Sequence, residues 1–429
     1  MYRTISTVLG AALLLSGCAP KKDKVVDEVF ADSLIGHYQP SQRSLVTDSN
    51  LAFWERRMQE RPDNFVNGPE YAAALLSSFQ LQGDIKALLK ADSLLNRSNT
   101  ANQGREPGLW RSLASLAMLQ HRFAAADSFV QKAIAIEGRS LPNQVMDFDV
   151  AFERGAYQKA RMLLASFAQD RSFGYLFRRS KYEHYDGSLD SAISCMLQAA
   201  AKAGNNLSLR QTALSNAADL HLHKGETSKA AALYRECLKN NPEDFHCITG
   251  LGWLALVQDN NDTLAEKLFL FVKQHSSSPD ILLKLGQVAE ARHDTASQKK
   301  YAAQFAGLAG DSIYGLMYSK YLVDLYTGIL KEPGKAVAIA AKETINRPTP
   351  QTFAWYAWSL YTNGEKEKAY LCFKNFVSGK PLEGPELYYM GCMMKGMGRN
   401  YNAREFFKAA WKNRYDLSPA KISYLKENR

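Results

Sequence analysis

The sequence predicts an all-α protein, a solenoid of helix-turn-helix repeats. A small residue, an apolar residue four positions later and a further apolar or small residue three positions after that recur about every 34 residues. The best examples are Ala126/Val130/Ala133, Ala160/Leu164/Phe167, Ala192/Met196/Ala199, Ala230/Tyr234/Cys237, Ala369/Phe373/Phe376 and Ala403/Phe407/Ala410. Residues at these spacings share one helix face, where the small residue lets a second helix approach closely. The chain of 429 residues also exceeds one ordinary domain without showing a linker, which a solenoid explains because it grows lengthwise.

Two units share a longer pattern. The first consists of Trp110, Leu113, Ala114, Ala117, Phe123, Ala126, Val130 and Ala133. The second consists of Phe353, Tyr356, Ala357, Leu360, Ala369, Phe373, Phe376 and Pro381, with an Asn363-Gly364-Glu365 turn between its helices. This pattern resembles the tetratricopeptide repeat (TPR) family. The resemblance implies a right-handed superhelical solenoid of about ten TPR helix-turn-helix repeats, with an insertion near residues 326–333.

The N-terminus carries an export pattern. Arg3 precedes an apolar run from Val8 to Leu15, and Ser16, Gly17 and Cys18 follow. The run is too short to span a bilayer, and the segment resembles a bacterial lipoprotein signal peptide. The resemblance implies that residues 1–17 are removed, that Cys18 carries a lipid anchor such as palmitate, and that the chain works in the cell envelope. The alternative is an ordinary secretory signal with an incidental cysteine.

Two further resemblances concern location and source. Ala19 replaces the Asp that retains many lipoproteins at the inner membrane, which favours the outer membrane of a Gram-negative cell, on its periplasmic or surface side. Triplets such as Asp92-Ser93-Leu94 and Asp190-Ser191-Ala192 are similar to the O-glycosylation acceptor of exported Bacteroidetes proteins. Asp, Ser and Thr also cap helices, so capping is an alternative explanation of these triplets.

Composition and helix signals divide the chain into four parts. The signal peptide of residues 1–17 precedes a tether, residues 18–48, in which Val25–Tyr38 can form one short helix that caps the array. The TPR solenoid covers residues 49–415 and starts with a helix that carries Phe53, Trp54 and Met58. Residues 416–429 form a C-terminal capping helix and tail, because an array needs a polar end.

The family resemblance also points to a binding groove. In the family, five positions of each first helix line the concave face of the superhelix. In the better-registered units these positions hold Arg111, Phe177, Lys181, His184, Tyr185, Trp253, Trp358, Tyr361, Tyr388 and Lys395. Tyr and Trp combine a large apolar face with a hydrogen-bonding group, which suits a bound peptide and equally a sugar ring. The alternative is that a tightly wound superhelix buries these rings against its own next turn.

The sequence predicts no enzyme, no cofactor and no metal site. It lacks the His-Glu-x-x-His, Gly-x-Ser-x-Gly and Cys-x-x-Cys motifs. The segment 328–335 resembles a phosphate loop, but five residues separate its glycines and Ala336 stands where Ser or Thr would bind magnesium. Potential zinc or copper ligands cluster at His221, His223, Cys237, His246 and Cys247, yet their register favours packing and surface roles. Cys237 with Cys247, and Cys372 with Cys392, either pair or fill packing positions.

Charge and architecture together suggest the function. The net charge of +10 favours acidic company, which at a cell envelope means anionic lipid headgroups, lipopolysaccharide phosphates or acidic proteins rather than nucleic acid. The alternative is that the charge is dispersed over solvated outer faces. Because repeat arrays bind rather than catalyse, we expect a lipid-anchored scaffold that binds protein partners of the envelope through its groove. A glycan-binding lipoprotein of a polysaccharide-uptake system is the alternative.

Overall fold

The computed structural model describes residues 24–429, except for the side chain of Asp170, and shows an all-α solenoid. The signal peptide and the Cys18 anchor predicted above lie outside the described residues. Ten antiparallel helix pairs follow one another along the chain. They are α3 (Asn67–Gln82) with α4 (Ile85–Ala101), α5 (Pro107–Leu119) with α6 (Phe123–Glu137), α7 (Leu141–Glu153) with α8 (Tyr157–Ser166), α9 (Phe173–Tyr185) with α10 (Leu189–Lys202), α11 (Leu207–Lys224) with α12 (Thr227–Asn240), α13 (Phe245–Val257) with α14 (Asp262–His275), α15 (Asp280–Ala291) with α16 (Thr295–Ala309), α17 (Ser319–Thr327) with α18 (Pro333–Asn346), α19 (Pro350–Thr362) with α20 (Lys366–Cys372), and α21 (Gly384–Gly396) with α22 (Asn400–Lys412). The predicted fold class is confirmed.

Three further helices flank the ten pairs. They are α1 (Glu28–Gly36), α2 (Gln42–Glu60) and, at the C-terminal end, α23 (Pro419–Asn428). Short 3₁₀ turns lie at Ala168–Asp170, Ser312–Tyr314 and Arg414–Asp416, and a π-helical segment, Phe373–Val377, continues α20. Among residues 24–429, no helix has the length and apolarity needed to cross a bilayer.

Small residues hold the helix pairs together. Side chains at the repeated small position, among them Ala126, Ala160 and Ala230, have no exposed surface. Glycine serves the same purpose where a ring crosses the partner helix. A Cβ atom on Gly391 would lie 2.4 Å from the Phe407 ring, and one on Gly252 would lie 2.5 Å from Phe269. The repeated spacing therefore sets the contact between helices, as the sequence predicts.

The superhelix also contacts itself across distant repeats. The Ser277 amide donates to the Gln82 carbonyl (2.8 Å), and the Asn346 side chain donates to the His121 carbonyl, 225 residues away (2.8 Å). Further along, the Trp253 indole donates to the Tyr415 carbonyl (2.7 Å). Side chains from repeats between α7 and α21 also meet, as Glu153 does with Arg347 and His184 with His223, and the inner space between the first helices of these pairs is called the lumen below.

The N-terminal segment does not cap the end of the array, contrary to expectation. Instead α1 lies across α14 in the middle of the solenoid, where Ala31 has no exposed surface and Val26 is 3% exposed. The first solenoid helix, α2, begins at Gln42, earlier than the predicted start near residue 49, because the Ser41 side chain caps it by accepting from the Ser44 amide. The segment 24–41 is called the strap below.

Candidate partner-binding site

Ion pairs join distant repeats across the lumen. Glu153, at the end of α7, accepts from Lys181 of α9 (2.5 Å) and also pairs with Arg347, which follows α18 (3.2 Å). On the neighbouring helix α11, His223 Nδ1 lies 2.6 Å from a carboxylate oxygen of Asp416. Each contact connects the first half of the solenoid with the second or with an adjacent repeat. Charged side chains therefore close this face, in contrast to the apolar packing between successive helices.

The ion pairs fix the charge of Glu153. Burial would raise the pKa of this carboxyl, but Lys181 and Arg347 outweigh the burial and hold the pKa below its ordinary value. Lys181 also lies over the Phe152 ring, 4.8 Å from its centroid. Beside it, Tyr157 and Tyr185 stack with ring centroids 3.8 Å apart. The α7–α9 wall of the lumen thus presents a paired carboxylate framed by aromatic rings.

The opposite wall carries a lysine between two glutamates. Lys320 Nζ of α17 lies 3.8 Å from a carboxylate oxygen of Glu383 and 4.0 Å from one of Glu386. Glu386 has no exposed surface, and one of its oxygens accepts from the Trp355 indole (2.6 Å) while the other has no hydrogen-bond partner. Burial raises the pKa of Glu386, whereas at Glu383 the opposing effect of Lys320 overcomes burial and lowers the pKa. The two carboxyls therefore differ in how readily they hold a proton.

Two histidines meet between these walls. The rings of His184 and His223 are 4.8 Å apart in an edge-to-face arrangement. Burial lowers the pKa of His184, and the charge of His223 lowers it further. At His223, burial acts in the same direction, but the hydrogen bond and charge of Asp416 prevail and raise the pKa. A positive charge on this pair is consequently held on His223.

A family model describes the repeats that build this lumen. Residues 78–291 match the model of the tetratricopeptide repeat. The chain contains tetratricopeptide repeats. A search of curated proteins found no match.

Solved tetratricopeptide-like structures resemble the chain at low sequence identity. PilF of Pseudomonas aeruginosa is 16% identical, with a TM-score of 0.37, and the match covers 50% of this chain and 97% of that one. A tetratricopeptide repeat protein from Parabacteroides merdae is 14% identical, with a TM-score of 0.35 and coverage of 60% and 98%. The Cut9–Hcn1 hetero-tetramer of APC/C is 13% identical, with a TM-score of 0.48 and coverage of 93% and 68%. These likenesses concern the fold.

Most tetratricopeptide groove aromatics predicted from the sequence are engaged within the protein. Trp253 is 5% exposed and carries Lys284 over its ring, 3.9 Å from the centroid. Trp358 stacks on Tyr389 (5.4 Å between centroids) and donates its indole N–H to Thr327. The remaining rings behave alike: Phe177 stacks on Phe173, Tyr185 on Tyr157, Tyr361 on Trp358, and Tyr388 packs edge-on against Tyr424. Their role in binding a partner stays a prediction.

The charged members of the predicted set differ in environment. Lys181 and His184 belong to the lumen contacts described above, and both are half-buried. Lys395 is exposed at the end of α21, where it donates to the Tyr424 hydroxyl (3.2 Å) and to Asn428. The structure thus brings two of the four charged members into the lumen and leaves Lys395 at the C-terminal edge of the array, while Arg111 of α5 pairs with Glu137 of α6.

Sequence reasoning missed the most accessible aromatic residue of the lumen. Tyr321 of α17 is 45% exposed, yet burial raises the pKa of its hydroxyl, against Lys320 and together with Asp280 and Glu383. Solvent therefore reaches this ring inside the enclosed space. The repeat that holds Tyr321 is the one with the predicted insertion, so its groove positions could not be read from the family register. The aromatic residue is visible in the sequence, but the insertion hides which position of the repeat it occupies.

The suspected metal ligands of this tetratricopeptide array have other partners. His221 contacts Glu226 (2.6 Å), His223 contacts Asp416, and His246 contacts Asp219 (2.9 Å). Cys237 and Cys247 are buried free thiols, as are Cys195 and Cys372, whereas the free thiol of Cys392 is half-buried. Within residues 24–429, no group of three His, Cys, Asp or Glu side chains is arranged to hold a metal ion.

Proposed function

We propose that the protein is a lipid-anchored scaffold that binds protein partners at the cell envelope through its lumen. The observation that carries this proposal is a tetratricopeptide lumen lined by charged groups of both signs around an accessible ring. Lys320, Glu383 and Tyr321 meet there, in a space that solvent can enter. Such a wall can pair with the side chains of an extended or helical peptide segment and cover one of its apolar groups.

The lipid anchor and the repeat array would have separate roles in binding. A lipid on Cys18 would raise the effective concentration of the scaffold beside envelope partners, because membrane attachment confines the search for them. The rigid helix pairs would then set the distance between bound proteins. Closure of the lumen by ion pairs adds a step, since a long segment must enter from an end or while the contacts between the turns are open.

Crosslinking in the native cells tests this proposal with two matched variants. Tyr321→Ala removes the accessible ring inside the lumen, and Tyr401→Ala removes a ring that is 80% exposed on α22, a second helix of its pair. The intact lipoprotein is isolated after crosslinking, and the attached proteins are identified by mass spectrometry. We expect an envelope protein that is recovered with the unchanged chain and with Tyr401→Ala, and at least tenfold less with Tyr321→Ala.

The choice of Tyr321 reduces a structural ambiguity, because this residue is 45% exposed and its ring lies 6.4 Å from those of Phe305 and Tyr318. Replacing Trp358, Tyr361 and Tyr388 would break stacked rings and weaken the fold together with any binding. Equal recovery of the envelope protein with the unchanged chain, Tyr321→Ala and Tyr401→Ala would refute the lumen as the binding surface.

A glycan ligand is the second candidate, because an accessible tyrosine ring in an enclosed space also suits stacking on a sugar. Calorimetric titration of soluble envelope oligosaccharides into the purified protein decides between the two. Binding that disappears with Tyr321→Ala and persists with Tyr401→Ala would favour the glycan function, particularly if crosslinking enriches no protein.

A further inference from the structure

The N-terminal end of the strap is bound to the solenoid through backbone hydrogen bonds. The backbone amides of Val25 and Val26 each donate to a different carboxylate oxygen of Asp259, both at 3.0 Å. Asp259 lies in the turn between α13 and α14, and Val26 packs into the core beside it. One carboxylate thus binds two consecutive amides, which fixes both the position and the direction of the chain at residues 25 and 26.

A second carboxylate holds the other end of the strap. Glu243 accepts from the Tyr38 hydroxyl (3.0 Å) and from the Ser41 hydroxyl. The Tyr38 ring packs edge-on against Phe271 of α14, with centroids 5.1 Å apart. Burial, together with the Glu243 carboxylate, raises the pKa of Tyr38 to about 12, so the hydroxyl stays a donor at neutral pH.

Ion pairs along α1 fasten the middle of the strap. Arg235 of α12 lies 3.4 Å from Asp27, and Lys267 of α14 lies 2.7 Å from Asp32. The strap therefore bridges α12 and α14 on the outer side of the solenoid. Its orientation relative to the repeats is set at three places, and a single broken contact leaves the others in place.

The attachment point limits how far the solenoid can lie from a lipid on Cys18. Five residues, 19–23, separate that cysteine from Lys24, and a fully extended chain from residue 18 to residue 24 spans at most about 20 Å. We propose that the outer surface formed by α1, α12 and α14 faces the lipid bilayer. This inference rests on the proposed lipid anchor and adds an orientation to it.

The chemistry of this surface fits a bilayer with anionic headgroups. Val29 of α1 is 81% exposed and Leu270 of α14 is 39% exposed, although both are aliphatic. Lys24, which pairs with Glu28 of α1, is exposed where the described chain begins, and Lys21 and Lys22 precede it in the sequence. Aliphatic groups beside a basic segment are the combination that associates with acidic lipid surfaces. The lumen, on the inner side of the helices, remains free for partners.

Energy transfer to labelled lipids tests this orientation. The full lipoprotein, with Cys392→Ser to remove the one half-buried thiol among the described residues, is reconstituted in phosphatidylethanolamine–phosphatidylglycerol vesicles that contain a rhodamine lipid. A donor dye is attached through Leu270→Cys on α14 or through Leu371→Cys on α20, a helix that packs against α19 and where Leu371 is 55% exposed. We expect at least twofold greater transfer from position 270.

Releasing the strap supplies the control. The variant Asp259→Ala/Glu243→Gln/Asp27→Ala/Asp32→Ala removes a contact at each of the three places, and the same variant without Asp259→Ala is used in case the first folds poorly. Circular dichroism verifies the helix content of each variant. With the strap released, we expect transfer from positions 270 and 371 to become equal. Equal transfer in the unreleased protein, or an advantage of position 270 that survives in both release variants, would overturn the orientation.

A failure of the anchor itself gives a different result. Protein that does not float with vesicles and carries no lipid by mass spectrometry would refute the anchor, and the orientation would fall with it. Flotation of the unchanged chain and its loss in Cys18→Ala establish that the transfer values report an anchored molecule.

Discussion

At the scale of single residues, two glycines inside helices have different environments. One allows a close contact between helices, and the other has room for a side chain. A Cβ on Gly391 would lie 2.4 Å from the Phe407 ring, whereas a Cβ on Gly286 would meet only Tyr301 Cβ at 3.6 Å, an ordinary contact. We predict that Gly391→Ala lowers the free energy of unfolding by about 1–3 kcal/mol through overpacking. Gly286→Ala should raise it by up to about 1 kcal/mol, because alanine favours helix. Urea unfolding measures both, and equal effects would contradict the close contact at Gly391.

Another residue-scale prediction concerns pH. The His246 side chain is 60% exposed; desolvation by its neighbours would lower its pKa, but the hydrogen bond and charge of Asp219 outweigh this and raise the pKa to about 9. A raised histidine pKa stabilises the folded protein fully below the unfolded pKa of about 6.5, and this stability is lost as the pH rises through about 9. The stability difference between the unchanged chain and His246→Gln should therefore shrink between those values. If the stability difference between the unchanged chain and His246→Gln does not change with pH, that result would contradict the pairing with Asp219.

At the scale of elements, the sequence predicts the positions where two helices cross. It does not predict where an extra residue shifts the register of a helix. The repeated triplet Ala369/Phe373/Phe376 predicts one buried face, and Ala369 and Phe373 are buried as expected. Phe376 is 47% exposed instead, and Val377 is 1% exposed in its place. The π-helical segment adds a residue to that turn, so the buried position moves on by one. The spacing of the repeated triplets does not predict this shift of the buried position.

The strap and the C-terminal helix show a second limit at this scale. Helix signals predict a short helix within Val25–Tyr38 and another after Pro419, because both depend on local residues. Where they dock depends on contacts between distant parts of the chain. The Ala420 amide donates to Glu290 of α15 (3.2 Å), and Lys421 binds Asp324 of α17, so α23 reaches well beyond the last repeat. The candidate site is subject to the same limit, since Arg347 and Asp416, which pair with Glu153 and His223 in the lumen, come from repeats far along the chain.

At the scale of the whole molecule, polar contacts join distant turns of the superhelix beside an apolar core, in which buried residues of α3, α4 and α5 share one cluster with those of α15 to α23. Arg347 pairs with Glu153, and His223 with Asp416, across repeats that are distant in sequence. Apolar packing between successive helix pairs does not depend on these contacts. The repeats can therefore remain folded while the turns separate, because each repeat obtains its stability from its neighbours.

This arrangement predicts that the curvature of the solenoid responds to charge. The double variant Arg347→Ala/Asp416→Ala should keep its helix content and show a larger radius of gyration by small-angle X-ray scattering, and high salt should move the unchanged chain in the same direction by screening. The matched control, Arg292→Ala/Arg154→Ala, removes ion pairs to Asp262, Glu266 and Asp127 that join neighbouring helix pairs. Its radius of gyration should stay unchanged. An identical radius in both variants would show that the hydrogen bonds and the apolar cluster between distant repeats suffice to close the lumen, and a partner would then have to enter from its ends.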